Sequence, residues 1–132
     1  MDLSESRHIS VAVNLDAAEA YARLWQPERF PEWASGLGAL RWDGDSWVAD
    51  GTEGEVAVRF SPQNDFGVLD HWVRLPCGHQ VYLPFRVVAN GHGCELVFTL
   101  FRQPDMDDAR FASDADWVRR DLLAAKALLE SG

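Results

Sequence analysis

Cysteine, positive charge and long apolar runs are all scarce in this 132-residue chain. Cys77 and Cys94 are its only cysteines. Two are too few for a disulfide framework, and a chain that is 47% hydrophobic can make a core without one. Both are therefore read as free thiols. Lys and Arg number 12 against 21 Asp and Glu, a formal net charge of -9. Such a chain repels a phosphate backbone unless its basic residues gather on one face, so neither nucleic acid nor an anionic membrane is an expected partner. No stretch approaches the ~20 consecutive apolar residues of a membrane helix, so no membrane insertion is expected. The opening Met1 to Ser6 is polar and acidic, without the basic start and apolar stretch of a secretory signal, and the expected location is cytoplasmic. A Gly-rich phosphate loop, a nucleophile elbow and a helical His pair are also missing, as are repeats and low-complexity tracts.

What is present suits one domain spanning residues 1–132. From Arg7 to Leu15, apolar Ile9, Val11, Val13 and Leu15 alternate with polar positions, the spacing of a strand wet on one side. Asp16 with Glu19 three residues on forms a capping box ahead of Ala17, Tyr21, Leu24 and Trp25, which predicts a helix of about three turns. Pro27 ends it, and Pro31 opens a second short helix carrying Trp33. Turn signals then separate alternating runs: Leu40 to Trp42, Trp47 to Ala49, Glu55 to Ser61, Phe66 to Leu75, Gln80 to Ala89 and Cys94 to Arg102. Pro84 interrupts one of these, and a bulge is expected there. A long helix begins near Asp108, its buried stripe formed by Phe111, Ala115, Val118, Leu122, Ala125 and Leu129 and widened by Trp117, Ala124 and Leu128.

The segment Pro27-Glu28-Arg29-Phe30-Pro31-Glu32-Trp33 resembles the stretch after the first helix in the START-like, SRPBCC superfamily, which includes polyketide cyclase/dehydrase-like and Bet v 1-like proteins. The closing helix, Asp114 to Leu122 followed by Lys126 to Glu130, resembles that superfamily's last helix, particularly in bacterial members of unassigned function. The resemblance implies an α+β helix-grip fold: a curved seven-stranded antiparallel sheet, two short helices after the first strand, and a long C-terminal helix in the concave face. It also implies a cavity between sheet and helix. Members bind lipids, carry hydrophobic ligands, cyclise polyketides or act as cochaperones, so the resemblance brings no catalytic residue and no obligatory cofactor.

Within Phe66 to Leu75, His71 shares the parity of Leu69, Val73 and Leu75, whereas Asp70, Trp72 and Arg74 take the outward parity. His71 is thereby placed among Phe60, Leu83, Phe85, Phe98 and the final helix, where it could orient a ligand or move a proton. A core histidine satisfied by a backbone carbonyl or a water is the stronger reading, because one imidazole without a visible partner is weak evidence for catalysis. The candidate ligand contacts are His71, Trp33, Phe60, Leu83, Phe85, Phe98, Leu100, Val118 and Leu122. The leading function is binding of a hydrophobic or aromatic small molecule. The alternatives are an aromatase/cyclase-like enzyme using His71 and a cochaperone-like interaction domain, with a homodimer left open.

Other constellations have plainer explanations. Cys77-Gly78-His79 and His92-Gly93-Cys94 look like two halves of a zinc site, yet about eleven strand residues, roughly 35 Å at ~3.3 Å each, separate them. They are read as turns, with no metal and no disulfide. Asp114 and Asp121 could both approach the cavity from the final helix, but two turns put them ~10 Å apart, too far to share a proton, and pairing with sheet arginines is expected. Arg59, Arg74 and Arg86 read as a mixed-charge solvated face. Trp72 and Tyr82 read as outward aromatics that could mark a protein contact.

Overall fold

The computed structural model describes residues 3–131, so Met1 and Asp2 of the polar amino-terminal stretch and Gly132 lie outside the described residues. The elements run β1 (Ser6–Val13), α1 (Ala17–Leu24), a 3₁₀ segment (Pro27–Glu32), β2 (Arg41–Trp42), β3 (Trp47–Gly51), β4 (Gly54–Phe60), β5 (His71–Arg74), β6 (Gln80–Leu83), β7 (Phe85–Asn90), β8 (Gly93–Phe101) and α2 (Asp108–Glu130). Asp16 caps α1 by accepting from the backbone N–H groups of Ala18 and Glu19 at 3.1 and 3.4 Å. No α-helix opens at Pro31. That proline lies inside the 3₁₀ segment, and Trp33 directly follows it. With neither Pro27 nor Pro31 carrying an N–H, the ladder of an α-helix cannot propagate here, and a tighter turn takes its place.

The strands do not form the expected single seven-stranded sheet. Among the described residues they make a three-stranded sheet, β1-β8-β7, and a five-stranded one, β2-β3-β4-β5-β6, every pair antiparallel. The parting occurs at Pro84. The run expected as one bulged strand from Gln80 to Ala89 is two strands, of which β6 pairs with β5 and β7 with β8. Proline has no N–H to give a ladder, and the next N–H, of Phe85, goes to the Asp70 side chain at 2.9 Å. The expected strand from Phe66 to Leu75 likewise shrinks to four residues, β5. Asn64 folds the preceding loop by accepting from the N–H groups of Phe66 and Val68 at 2.9 and 3.1 Å. Leu69 N–H then bonds Phe85 at 2.8 Å, and Val87 N–H bonds Gly67 at 2.9 Å, so this loop laces the two sheets together.

The three-stranded sheet turns its apolar side chains toward α2, and Phe60 and Leu83 of the five-stranded sheet pack against the same cluster from partly buried positions. Ile9 and Val13 of β1, Phe85 and Val87 of β7, and Leu96, Phe98 and Leu100 of β8 are buried with Phe111, Ala115, Leu122, Ala125 and Leu129 of the helix. These are the stripe positions expected of α2, save that Val118 and Leu128 are only partly buried while Trp117 and Ala124 are exposed. Asp107 caps this helix through the Arg110 N–H at 2.8 Å. A smaller cluster of Ala49, Val56 and Val58 extends the core into the five-stranded sheet. Among the described residues, no helix is long and apolar enough to cross a membrane.

Candidate functional site

The register of the five-stranded sheet puts Phe60, His71 and Leu83 side by side on its inner face. Phe98 and Leu100 of β8 continue that floor. Above it lie α2 and the chain that leaves the 3₁₀ segment, and between them is a cavity of about 240 Å³. Its walls are Phe30, Trp33, Ala34, Gly36 and Leu37 on one side and Asp114, Trp117, Val118, Asp121 and Leu122 on the other, with His71, Val73, Leu83, Phe98 and Leu100 below.

His71 is buried, 3% exposed. Its Nδ1 lies 3.2 Å from the carbonyl oxygen of Leu69, and its ring is boxed by Phe30, Phe60 and Phe98 at centroid distances of 5.1, 6.0 and 6.1 Å. Burial drives its pKa down to about 4, against the smaller upward pull of the Leu69 carbonyl and the Asp70 charge. The imidazole is therefore neutral near pH 7. A carbonyl accepts only, so the proton belongs on Nδ1, and Nε2 is left as an acceptor with no hydrogen-bond partner among the described residues. Trp33 supplies the complement: its Nε1–H is buried and has no partner among the described residues.

The α2 rim is acidic. Asp121 accepts from the Ser35 hydroxyl at 2.7 Å and from the Ser35 N–H at 3.3 Å to each oxygen. Burial lifts its carboxyl above the usual range, more than the Ser35 bonds and the Arg120 charge lower it. Asp114 accepts from Arg110 Nε at 3.0 Å. Neither carboxylate reaches a sheet arginine; the expected pairing is replaced by a loop serine and a neighbour one turn back on the same helix. Trp117 stands between them, 38% exposed, with Gly36 against its indole and the Arg120 guanidinium 5.3 Å from its ring centre.

No protein-family model and no curated protein matches the chain. Solved structures do. An uncharacterized protein from Bacillus thuringiensis superposes with a TM-score of 0.74 at 10% identity, covering 96% of this chain and 99% of that one. A START superfamily protein from Mycobacterium smegmatis gives 0.68 at 12% identity, covering 96% and 97%. The di-domain ARO/CYC BexL from the BE-7585A biosynthetic pathway gives 0.70 at 13% identity, covering 96% of this chain and 46% of BexL. The fold is the START-like helix grip. Identities this low speak to the fold, and any function must come from the residues.

Within this helix grip, seven of the nine candidate contacts line the cavity: His71, Trp33, Leu83, Phe98, Leu100, Val118 and Leu122. Phe60 and Phe85 stand behind it instead, around a void of about 20 Å³ that shares Phe30, Trp33 and His71 with the cavity. Phe30, Leu37 and Val73 line the cavity although they are not among the nine. Val73 was readable from the parity of His71, whereas Phe30 sits in a 3₁₀ segment of six residues and Leu37 in irregular chain, neither long enough for a period to mark a buried side.

Asp70 departs most from expectation. Its outward parity holds, yet it is buried, 4% exposed, because Tyr82 and Arg86 close over it. It accepts from Tyr82 Oη at 2.9 Å, Phe85 N at 2.9 Å, and Arg86 Nε and Nη2 at 2.8 and 2.7 Å. Arg86 is thus committed to an ion pair, and Arg59 lies 4.2 Å over the Trp72 ring, so two of the three outer arginines are engaged rather than freely solvated. Trp72 in turn stacks on Tyr82 at 5.3 Å and is half-buried. Cys77 is exposed beside the turn between β5 and β6, and Cys94 is buried at the start of β8. His79 bonds Gln103 at 2.8 Å. Among the described residues no three His, Cys, Asp or Glu side chains are grouped to hold a metal ion.

Proposed function

We propose that this chain binds a small hydrophobic or aromatic molecule in the cavity between α2, the 3₁₀ segment and the inner faces of β5, β6 and β8. The observation that carries this reading is His71: a buried, neutral imidazole with one nitrogen tied to Leu69 and the other left as an acceptor, in a wall that is apolar apart from the two carboxylates of its α2 rim. Ligand sites combine that apolar lining with a few polar groups that fix orientation. Trp33, Leu83, Phe98, Leu100, Val118 and Leu122 are the proposed apolar contacts, and Phe60 and Phe85 brace them from behind. A cavity of about 240 Å³ lies just below the ~300 Å³ at which sites for drug-sized ligands begin, so the ligand is of the order of one ring system.

The cyclase-like alternative draws on the likeness to BexL and on the same histidine. A pKa of about 4 weighs against it, since a general base works best with a pKa near the operating pH. His71 is better suited to accept a hydrogen bond than to carry a proton. A cochaperone-like role would be favoured by a filled core, and this core is not filled.

Native mass spectrometry of the purified protein, before and after organic extraction, tests the proposal. A bound mass of a few hundred daltons at most that extraction removes is the expected result. An unliganded spectrum from both preparations, with no thermal stabilisation by any small aromatic compound, would overturn it.

A further inference from the structure

We propose that the cavity selects its ligand by charge, taking a small aromatic amine whose ring fills the apolar interior and whose ammonium group sits at the α2 rim against Asp121 and Asp114. This rests on the cavity being a ligand site, as proposed above.

The charged side chains lining the cavity are all carboxylates, and neither Arg nor Lys contributes to its wall. His71 is the one other titratable group there, and it is neutral near pH 7. The nearest cations are engaged elsewhere. Arg110 holds Asp114 from outside the cavity, Arg120 lies over Trp117, and Lys126 is bonded to the Ala12 carbonyl and to Glu130 at 2.7 and 2.8 Å. Asp121 is the less compensated carboxylate. Every hydrogen bond it accepts comes from Ser35, a neutral residue, and it has no ion-pair partner among the described residues. Its partial burial is why its carboxyl titrates high, outweighing the Ser35 bonds and the Arg120 charge.

An acid-headed ligand, such as a fatty acid, would set a third negative charge beside these two with no cation in the wall to offset it. An ammonium group would instead gain charge-assisted hydrogen bonds to carboxylates and lie near the Trp117 ring. His71 lines the same cavity, and its Nε2 calls for a donor, which an indole N–H or a phenol O–H supplies. Phe30, Trp33 and Phe98 offer ring faces and edges for the aromatic body.

The test is calorimetric titration of the extracted full chain with three indoles that differ only in head group: tryptamine, cationic; tryptophol, neutral; and indoleacetate, anionic. The expected order is tryptamine, then tryptophol, then indoleacetate, with about tenfold or more between first and last. Asp121→Asn retains an acceptor for Ser35 and should bring tryptamine to within about threefold of tryptophol. If that variant does not fold, Asp114→Asn, two turns back along the rim, carries the same expectation. Equal binding of the three indoles, or tightest binding of the acid, would overturn the charge selection and leave the cavity reading standing. Failure of all three to bind the wild-type chain would overturn this inference, while the cavity reading is decided separately by the native mass spectra.

Discussion

Asp70 and Arg86 are joined by two hydrogen bonds, 2.8 and 2.7 Å long, at the point where the two sheets part. Asp70 is buried while the Arg86 side chain is 47% exposed, so the two partners carry unequal risk. Burial by itself would push the Asp70 carboxyl up, but Arg86, the Phe85 N–H and Tyr82 outweigh it and hold it below the ordinary carboxylate range. Arg86→Met should therefore strand a buried anion and destabilise the fold by about 2 to 3 kcal/mol at pH 7, less than for a fully buried pair because water reaches the arginine. In the variant the Asp70 carboxyl titrates higher and can be neutralised by a proton. Urea unfolding at pH 7 and pH 4 should show the gap to wild type narrowing at the lower pH, and a constant gap would mean that Arg86 acts through packing.

The inward parity of His71 was legible because Leu69, Val73 and Leu75 repeat it within one short run. The same alternation placed Asp70 outward correctly and gave no hint that it is buried, since burial there depends on Tyr82 and Arg86, twelve and sixteen positions away. Pro84 was legible as an interruption. That it divides two sheets was not, because each half pairs with its neighbour across a local hairpin in either case, while the side chain that takes the Phe85 N–H out of the ladder, Asp70, lies 15 positions away. Asp114 and Asp121 could be placed near the cavity from helical spacing alone, but not their partners, since Ser35 lies 86 positions from Asp121.

Gly67 provides a test of the loop that laces the sheets. Its φ is +72°, and a Cβ there would lie 2.4 Å from the carbonyl oxygen of Val87. Neither the left-handed backbone nor the contact can be relieved without moving β7, because Gly67 also accepts from Val87 N–H. Gly67→Ala should then cost about 2 kcal/mol or more, the strain of the conformation adding to that of the clash. Gly44 also has a positive φ, but a Cβ there would meet nothing within 4 Å, so it is the control and should lose clearly less on the same substitution. Equal melting temperatures for the two variants would show that the loop yields easily.

Leu122 sits where α2 both seals the core and bounds the cavity, and it is fully buried. Leu122→Ala should destabilise the chain by about 2 to 5 kcal/mol, the usual range for a buried leucine. The loss should fall toward the lower end, since the site already borders empty space and fewer packing contacts are forfeited. The enlarged cavity should also admit a bulkier ring than the wild type does. Chemical denaturation together with thermal shifts for aromatic compounds of increasing size would test both halves, and an unchanged size limit would place the ligand elsewhere.

His71 makes the fold sensitive to acid over a defined interval. The unfolded chain takes up a proton near the ordinary histidine value of 6.5, while the folded chain does so only near 4. Between those values the unfolded state binds more protons, so stability present above pH 6.5 is lost as pH falls toward 4, and below that no further loss comes from this group. The interval corresponds to roughly 3 kcal/mol. Asp70 acts in a different window, because its carboxyl is held below 3.8, so the two effects separate along the pH axis. His71→Phe should flatten the loss between pH 6.5 and 4 and keep or raise stability at pH 7, since an apolar ring replaces a polar one among Phe30, Phe60 and Phe98. The same change should weaken a ligand that donates to Nε2 by about 1 to 3 kcal/mol. Unfolding curves across pH, paired with titration of an indole ligand, measure both. Large destabilisation at pH 7 with unchanged affinity would make His71 a structural member of the aromatic core and nothing more.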